Sequence, residues 1–180
     1  MSTLRERLGD AFELGEQLTV VGEQLRVGDA APEFGLEMFD PSAGAIMTVQ
    51  LSDSAGTIRL LNVINSLDTP VCSIETRRWD GLRADLPGGV TIYTISMDLP
   101  FAQSRWIAAE GTGHQALSAH KSEQFGADYG VLLKEWRLLQ RAVFVIDAND
   151  RIAYAEYVRD QMREPDYDAA VAAVRALAGT

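Results

Sequence analysis

The apolar positions of the first third of the chain fall in short runs broken by turn formers. Leu18-Thr19-Val20-Val21 predicts a strand. Gly22-Glu23 predicts a turn, and Gln24-Leu25-Arg26-Val27 the returning arm of a hairpin. Residues 33–38 and 46–51 predict two further strands, parted by the turn Pro41-Ser42-Ala43-Gly44. Residues 58–64 then read almost without a polar break, the pattern of a central strand covered on both faces. Asp68-Thr69-Pro70 offers a cap followed by an early proline. Val71, Ile74, Trp79 and Leu82 line one side of the helix it opens, which Pro87-Gly88-Gly89 ends.

The pattern then repeats. Residues 90–97 are β-branched and predict a strand, and Asp98-Leu99-Pro100 opens a helix closed by Gly111. Residues 114–130 carry no clear period beyond a short helix near 122–125. Residues 142–147 and 151–157 predict a strand pair about Ala148-Asn149-Asp150, and Glu164-Pro165-Asp166 caps a last helix over 167–177. Residues 1–17 read as a polar tail or a short helix, and residues 18–180 as a single domain. This order predicts an α/β architecture with a βαβ core and helices on both faces of a sheet.

Composition narrows the function. The chain has 180 residues, 47% of them hydrophobic, enough for a real core and too apolar for disorder. Its net charge of −10 argues against nucleic acid or an anionic membrane surface as partner. No stretch has the pattern of a signal peptide or a membrane span, so a cytoplasmic location is expected. The one cysteine excludes an intrachain disulfide, a CxxC pair and a multi-cysteine zinc site.

That cysteine, Cys72, falls where a buried strand gives way to a helix. This is the usual ligand edge of an α/β sheet, and unpaired N–H groups at a helix start favour an anion such as a thiolate. A free thiol has a pKa of about 8.5, which helix N-termini and nearby cations lower to roughly 3.5–7.5. Thr69, three residues earlier, can lie beside the sulfur, donate to a thiolate and accept from a substrate. Position alone leaves a second reading open, a small inert core cysteine. Arg141 before its strand is likewise either an active-site cation or an ordinary paired arginine.

The longer string Ser66-Leu67-Asp68-Thr69-Pro70-Val71-Cys72 closely resembles the peroxidatic-cysteine motif of the thiol peroxidase branch of the peroxiredoxins. Residues 96–105, 141–147 and 164–170 are similar to that branch's second signature, its arginine-bearing strand and the start of its last helix, in the family's order. The resemblance spans roughly residues 18–177. It implies a thioredoxin-like (peroxiredoxin) fold, a central mixed β-sheet flanked by helices with an N-terminal β-hairpin, often as a homodimer. By the same resemblance, Cys72 would attack a peroxide, Thr69 would orient peroxide and thiolate, and Arg141 would stabilise the thiolate and polarise the O–O bond. Hydrogen peroxide or organic hydroperoxides would be the substrates, with no metal, haem or flavin. Asn65, Pro70 and Val71 would line the substrate pocket.

Two positions depart from the family. Ile107 stands where many thiol peroxidases carry the resolving cysteine, so an external thiol would have to reduce the sulfenic acid: a small thiol, a thioredoxin or a glutaredoxin-like protein. Asn65 stands where the family usually has proline, adding a donor and an acceptor beside the site. The alternative is a peroxide sensor or a catalytically degenerate thioredoxin-fold protein that binds a partner. His114 and His120 read as loop residues, Trp79, Trp106 and Trp136 as packing anchors, and Arg77 and Arg78 as exposed helix residues. Trp106 is also a candidate for the substrate mouth or a subunit contact.

Overall fold

The computed structural model describes residues 4–179. Its strands are β1 (Glu6–Glu13), β2 (Glu16–Val21), β3 (Gly35–Asp40), β4 (Ala45–Gln50), β5 (Arg59–Val63), β6 (Thr91–Ser96), β7 (Gln115–Ser118), β8 (Leu132–Leu133), β9 (Leu138–Leu139), β10 (Ala142–Ile146) and β11 (Ile152–Tyr157). The helices are α1 (Pro70–Leu82), α2 (Pro100–Glu110), α3 (Gln124–Asp128) and α4 (Tyr167–Ala178). A seven-stranded sheet runs β11-β10-β5-β6-β7-β3-β4, and a four-stranded one runs β1-β2-β8-β9.

The large sheet is mixed. β5, β6 and β7 are parallel, and β10, β11, β3 and β4 extend it antiparallel. All five residues of β5 are buried, as its unbroken apolar run predicts. Leu60 points into a cluster with Trp79 of α1, Val143 and Val145 of β10, and Tyr167, Ala170 and Val174 of α4. Leu61 and Val63 point the other way, toward Phe34, Phe125, Tyr129 and Phe144. α1 and α4 thus cover one face, and α3 with its neighbouring aromatics the other. α2 packs over β7 and β3. Asp166 accepts from the Ala169 N–H at 3.0 Å and starts α4 as its sequence predicts.

Four expectations change. Residues 6–13 are a strand rather than a tail or short helix. The N-terminal hairpin therefore joins β1 to β2 through Leu14 and Gly15, both at positive φ. Gln24–Val27 makes no returning arm. The chain at Gly22, with φ +102°, runs against the Ala127 carbonyl and continues as an extended segment held by Leu25 N–H to Tyr157 Oη, 2.7 Å. A β-carbon at Gly22 would collide with that carbonyl. Gly22→Ala is therefore expected to cost about 2–4 kcal/mol in urea unfolding, where an ordinary surface change costs little.

β7 was not expected, and neither was the place of His114. Its imidazole is buried, with Nε2 2.8 Å from Thr94 Oγ1 and Nδ1 3.5 Å from Asp80. Burial holds its pKa below the ordinary histidine value, against the pull of Asp80. His120 instead pairs with Glu37 at 2.9 Å. Among the described residues no three His, Cys, Asp or Glu side chains converge as a metal site, and no helix is long and apolar enough to cross a membrane.

Candidate active site

The β5–α1 junction sets the centre of the site. Asp98, just after β6, accepts from Leu67 N–H at 2.8 Å and Ser66 Oγ at 2.7 Å, pinning the connecting loop to the neighbouring strand. Thr69 is the N-cap of α1 and Pro70 its first residue, where a missing N–H costs nothing. The Thr69 hydroxyl does not cap the helix. It donates to Ser66 O at 2.9 Å, rather than to the sulfur as the sequence suggested, and its oxygen can still accept a hydrogen bond. No acidic residue lies in the first turn of α1, so nothing there competes with an anion for the helix dipole.

Cys72 is fully buried, packed with Ile64, Leu67 and the half-buried Trp106. Beside the start of α1 lies a cavity of about 330 Å³ lined by Asn65, Thr69, Pro70, Val71 and Arg141, together with Glu13, Trp136, Leu138, Gln161 and Met162. Asn65, Thr69, Pro70, Val71 and Arg141 thus line one cavity, and of these Asn65 and Arg141 also interact with the Cys72 sulfur. Ile107 lines a separate apolar groove with Met38, Phe39 and Pro100. Trp136 lines the cavity beside Thr69 and Arg141, and Trp106 packs against Cys72. Arg77 lies on the exposed side of α1, paired with Glu110 at 2.8 Å, and Arg78 stacks over Tyr167.

Arg141 is 1% exposed. Its guanidinium bonds the Glu75 carboxylate and donates to Gln161 O at 2.9 Å. Burial opposes its charge, but Glu75 and Cys72 outweigh burial and raise its pKa above the ordinary arginine value. Glu75 is wholly buried. Loss of solvent pushes its carboxyl up to about 8, while Arg141 pulls the other way. The sequence reading missed this partner, although Glu75 lies one helical turn beyond Cys72 on the same face.

Gln161 was also missed. It follows β11 in a loop tied to β1 by Gln161 N–H to Phe12 O at 2.9 Å and Phe12 N–H to Arg159 O at 2.8 Å. Its side-chain oxygen accepts from the Arg141 backbone N–H at 2.9 Å and from Asn65 Nδ2 at 3.0 Å. Asn65 Nδ2 also donates to Leu139 O at 2.6 Å, and Asn65 Oδ1 lies 3.9 Å from Cys72 Sγ. No local pattern announces Gln161, because the β10–β11 return alone brings it beside Arg141.

A buried cysteine at a helix start, a buried arginine against it and a central mixed sheet define a thioredoxin-like fold of the peroxiredoxin kind. Residues 27–155 match the AhpC/TSA family, and the chain belongs to that family. It is 48% identical to the thiol peroxidase of Streptococcus sanguinis over 91% of this chain and 98% of that one. It is 42% identical to the thiol peroxidase of Bacillus subtilis, covering 91% and 95%. Among solved structures it is similar to a peroxiredoxin-like protein from Aquifex aeolicus, with TM-score 0.81, 31% identity and 98% and 99% of the two chains covered.

Proposed function

We propose that the protein is a thiol-dependent peroxidase that reduces hydrogen peroxide or organic hydroperoxides through Cys72. Turnover follows a one-cysteine cycle completed by an external thiol, a small thiol or a thioredoxin- or glutaredoxin-like protein. The observation that carries the reading is that Thr69 and Arg141 line one cavity while Arg141 also faces the buried Cys72 sulfur. Its family membership and its thiol peroxidase relatives support it. They do not favour the sensing or degenerate alternative.

In the proposed step the thiolate attacks the near oxygen of the hydroperoxide. An S–O bond forms, the O–O bond breaks, and the leaving oxygen departs as water or alcohol after taking a proton. Thr69 Oγ1 accepts from the hydroperoxide O–H. Arg141 stabilises the thiolate and the negative charge growing on the leaving oxygen. Val71, Trp136, Leu138 and Met162 give the cavity apolar walls that suit the carbon end of an organic hydroperoxide. The cycle is assigned to the cytoplasm and to a homodimer.

The test is a single turnover. Pre-reduced protein is mixed with less than one equivalent of hydrogen peroxide or cumene hydroperoxide, and the sulfur is read by mass spectrometry beside Cys72→Ser. Wild-type oxidation no faster than that of free cysteine would refute the reading. Thr69→Val keeps the shape but loses the acceptor, and is expected to slow the step about 10- to 100-fold with an unchanged melting temperature. An unchanged rate removes Thr69 from the mechanism.

A further inference from the structure

Asn65 meets the sulfur with its oxygen, and three layers of hydrogen bonds force that orientation. Gln161 Nε2 donates to two backbone carbonyls, Val158 O at 2.7 Å and Arg159 O at 3.1 Å. Its amide oxygen is thereby turned toward the Arg141 N–H and Asn65. Asn65 spends both amide hydrogens on Gln161 Oε1 and Leu139 O. What remains facing Cys72 is Oδ1, a pure acceptor, at 3.9 Å from Sγ. The thiol donates to it.

We infer that Asn65 is a positioning residue that favours the protonated forms of the Cys72 sulfur, and that its main consequence falls after oxidation. This rests on the peroxidase reading of Cys72. A lone pair aimed at the sulfur accepts from S–H and repels a thiolate. Once the sulfur carries oxygen, the same acceptor takes the sulfenic O–H and disfavours the sulfenate anion.

The distinction matters because the sulfenate is the nucleophile of the next step. Its sulfur attacks a second hydroperoxide, a second S–O bond forms, and the O–O bond breaks. The sulfur loses two electrons to the peroxide, and the departing alkoxide takes the proton that the transferred oxygen carried, leaving sulfinate and an alcohol. A chain with no second cysteine holds its sulfenic acid until an outside thiol arrives. An acceptor that keeps the acid protonated delays the irreversible step, at the cost of a less readily formed thiolate.

The other charges around the sulfur act against Asn65 or are already committed. Arg141, from the start of β10, favours both anions and is shared with Glu75 of α1. Asp98 is engaged with Ser66 and Leu67, and Glu13 of β1 stands at the cavity rim. Asn65 is the uncharged group that opposes Arg141 at the sulfur.

Asn65→Leu and Asn65→Pro both remove the acceptor, and no backbone hydrogen bond of Asn65 is lost to proline. Their thermal unfolding identifies the variant that keeps the fold. Two measurements then follow. The rate of iodoacetamide alkylation of reduced Cys72 against pH is expected to move its midpoint down by about half to one pH unit. Under excess cumene hydroperoxide, mass spectrometry is expected to show sulfinic acid forming about three- to tenfold faster per sulfenic acid made. A folded variant with an unmoved or raised midpoint, or with sulfinic acid forming no faster, overturns the inference. The alkylation profile uses no peroxide, so it reads the Asn65 contact even if the peroxidase reading itself fails.

Discussion

Arg141→Met is expected to slow single-turnover oxidation of Cys72 by about 10²–10³-fold and to lower stability by up to about 3–5 kcal/mol at alkaline pH, where Glu75 is ionised. The two losses have separate causes. The rate falls because the cation facing the sulfur is the fixed donor for charge on thiolate and leaving oxygen. Stability falls because Glu75, fully buried, loses the guanidinium that pairs with its carboxylate.

The pH dependence separates them. The folded-state pKa of Glu75 stands at about 8, above its ordinary 4.5, because burial outweighs Arg141. A carboxyl shifted this way favours the fold most below its unfolded pKa, and that contribution is lost as pH rises through the folded value. Without Arg141 the folded value climbs further. Urea unfolding should therefore show the smallest penalty for Arg141→Met near about pH 5 and a growing one toward about pH 9. Adding Glu75→Gln should flatten that dependence and recover much of the stability, yet leave oxidation as slow as in Arg141→Met. If the double variant also recovers the oxidation rate, Arg141 acts only as a structural partner of Glu75.

The parts of the fold that were legible in the sequence are those whose cause is local. β5 announced itself by an unbroken apolar run and α1 by Thr69-Pro70, so their junction and Cys72 were placed correctly. α4 was legible from Pro165-Asp166 and an alanine-rich face. β1 was not, because half of its residues are charged and its fully buried side chain is only Ala11. Its place is set by pairing with β2 and by the loop after β11. β7 is four residues long without a β-branched side chain, and parallel pairing to β6 makes it a strand. The site divides the same way. Thr69, Cys72 and Asn65 lie within one loop and one helical turn, whereas Gln161 reaches Asn65 across 96 positions of sequence.

This layout has a consequence for turnover that exceeds any substitution around the sulfur. In the absence of added thiol, each chain is expected to consume about one equivalent of peroxide as sulfenic acid and then stop, save for slow over-oxidation. Cys72 is the sole cysteine and it is free. Ile107, at the position where relatives of this branch often resolve, lines another groove and carries no sulfur. Cys72 is wholly buried, which disfavours a direct link between the Cys72 residues of two chains.

The electrons for a second turnover must therefore come from an external thiol. Peroxide loss per chain, followed with and without a small thiol, tests this directly. The thiol should convert a single equivalent into continuous consumption, and Cys72→Ser should consume none in either condition. Repeated turnover by thoroughly desalted protein with no thiol present would mean that the electrons come from within the chain, and the one-cysteine cycle would have to be abandoned.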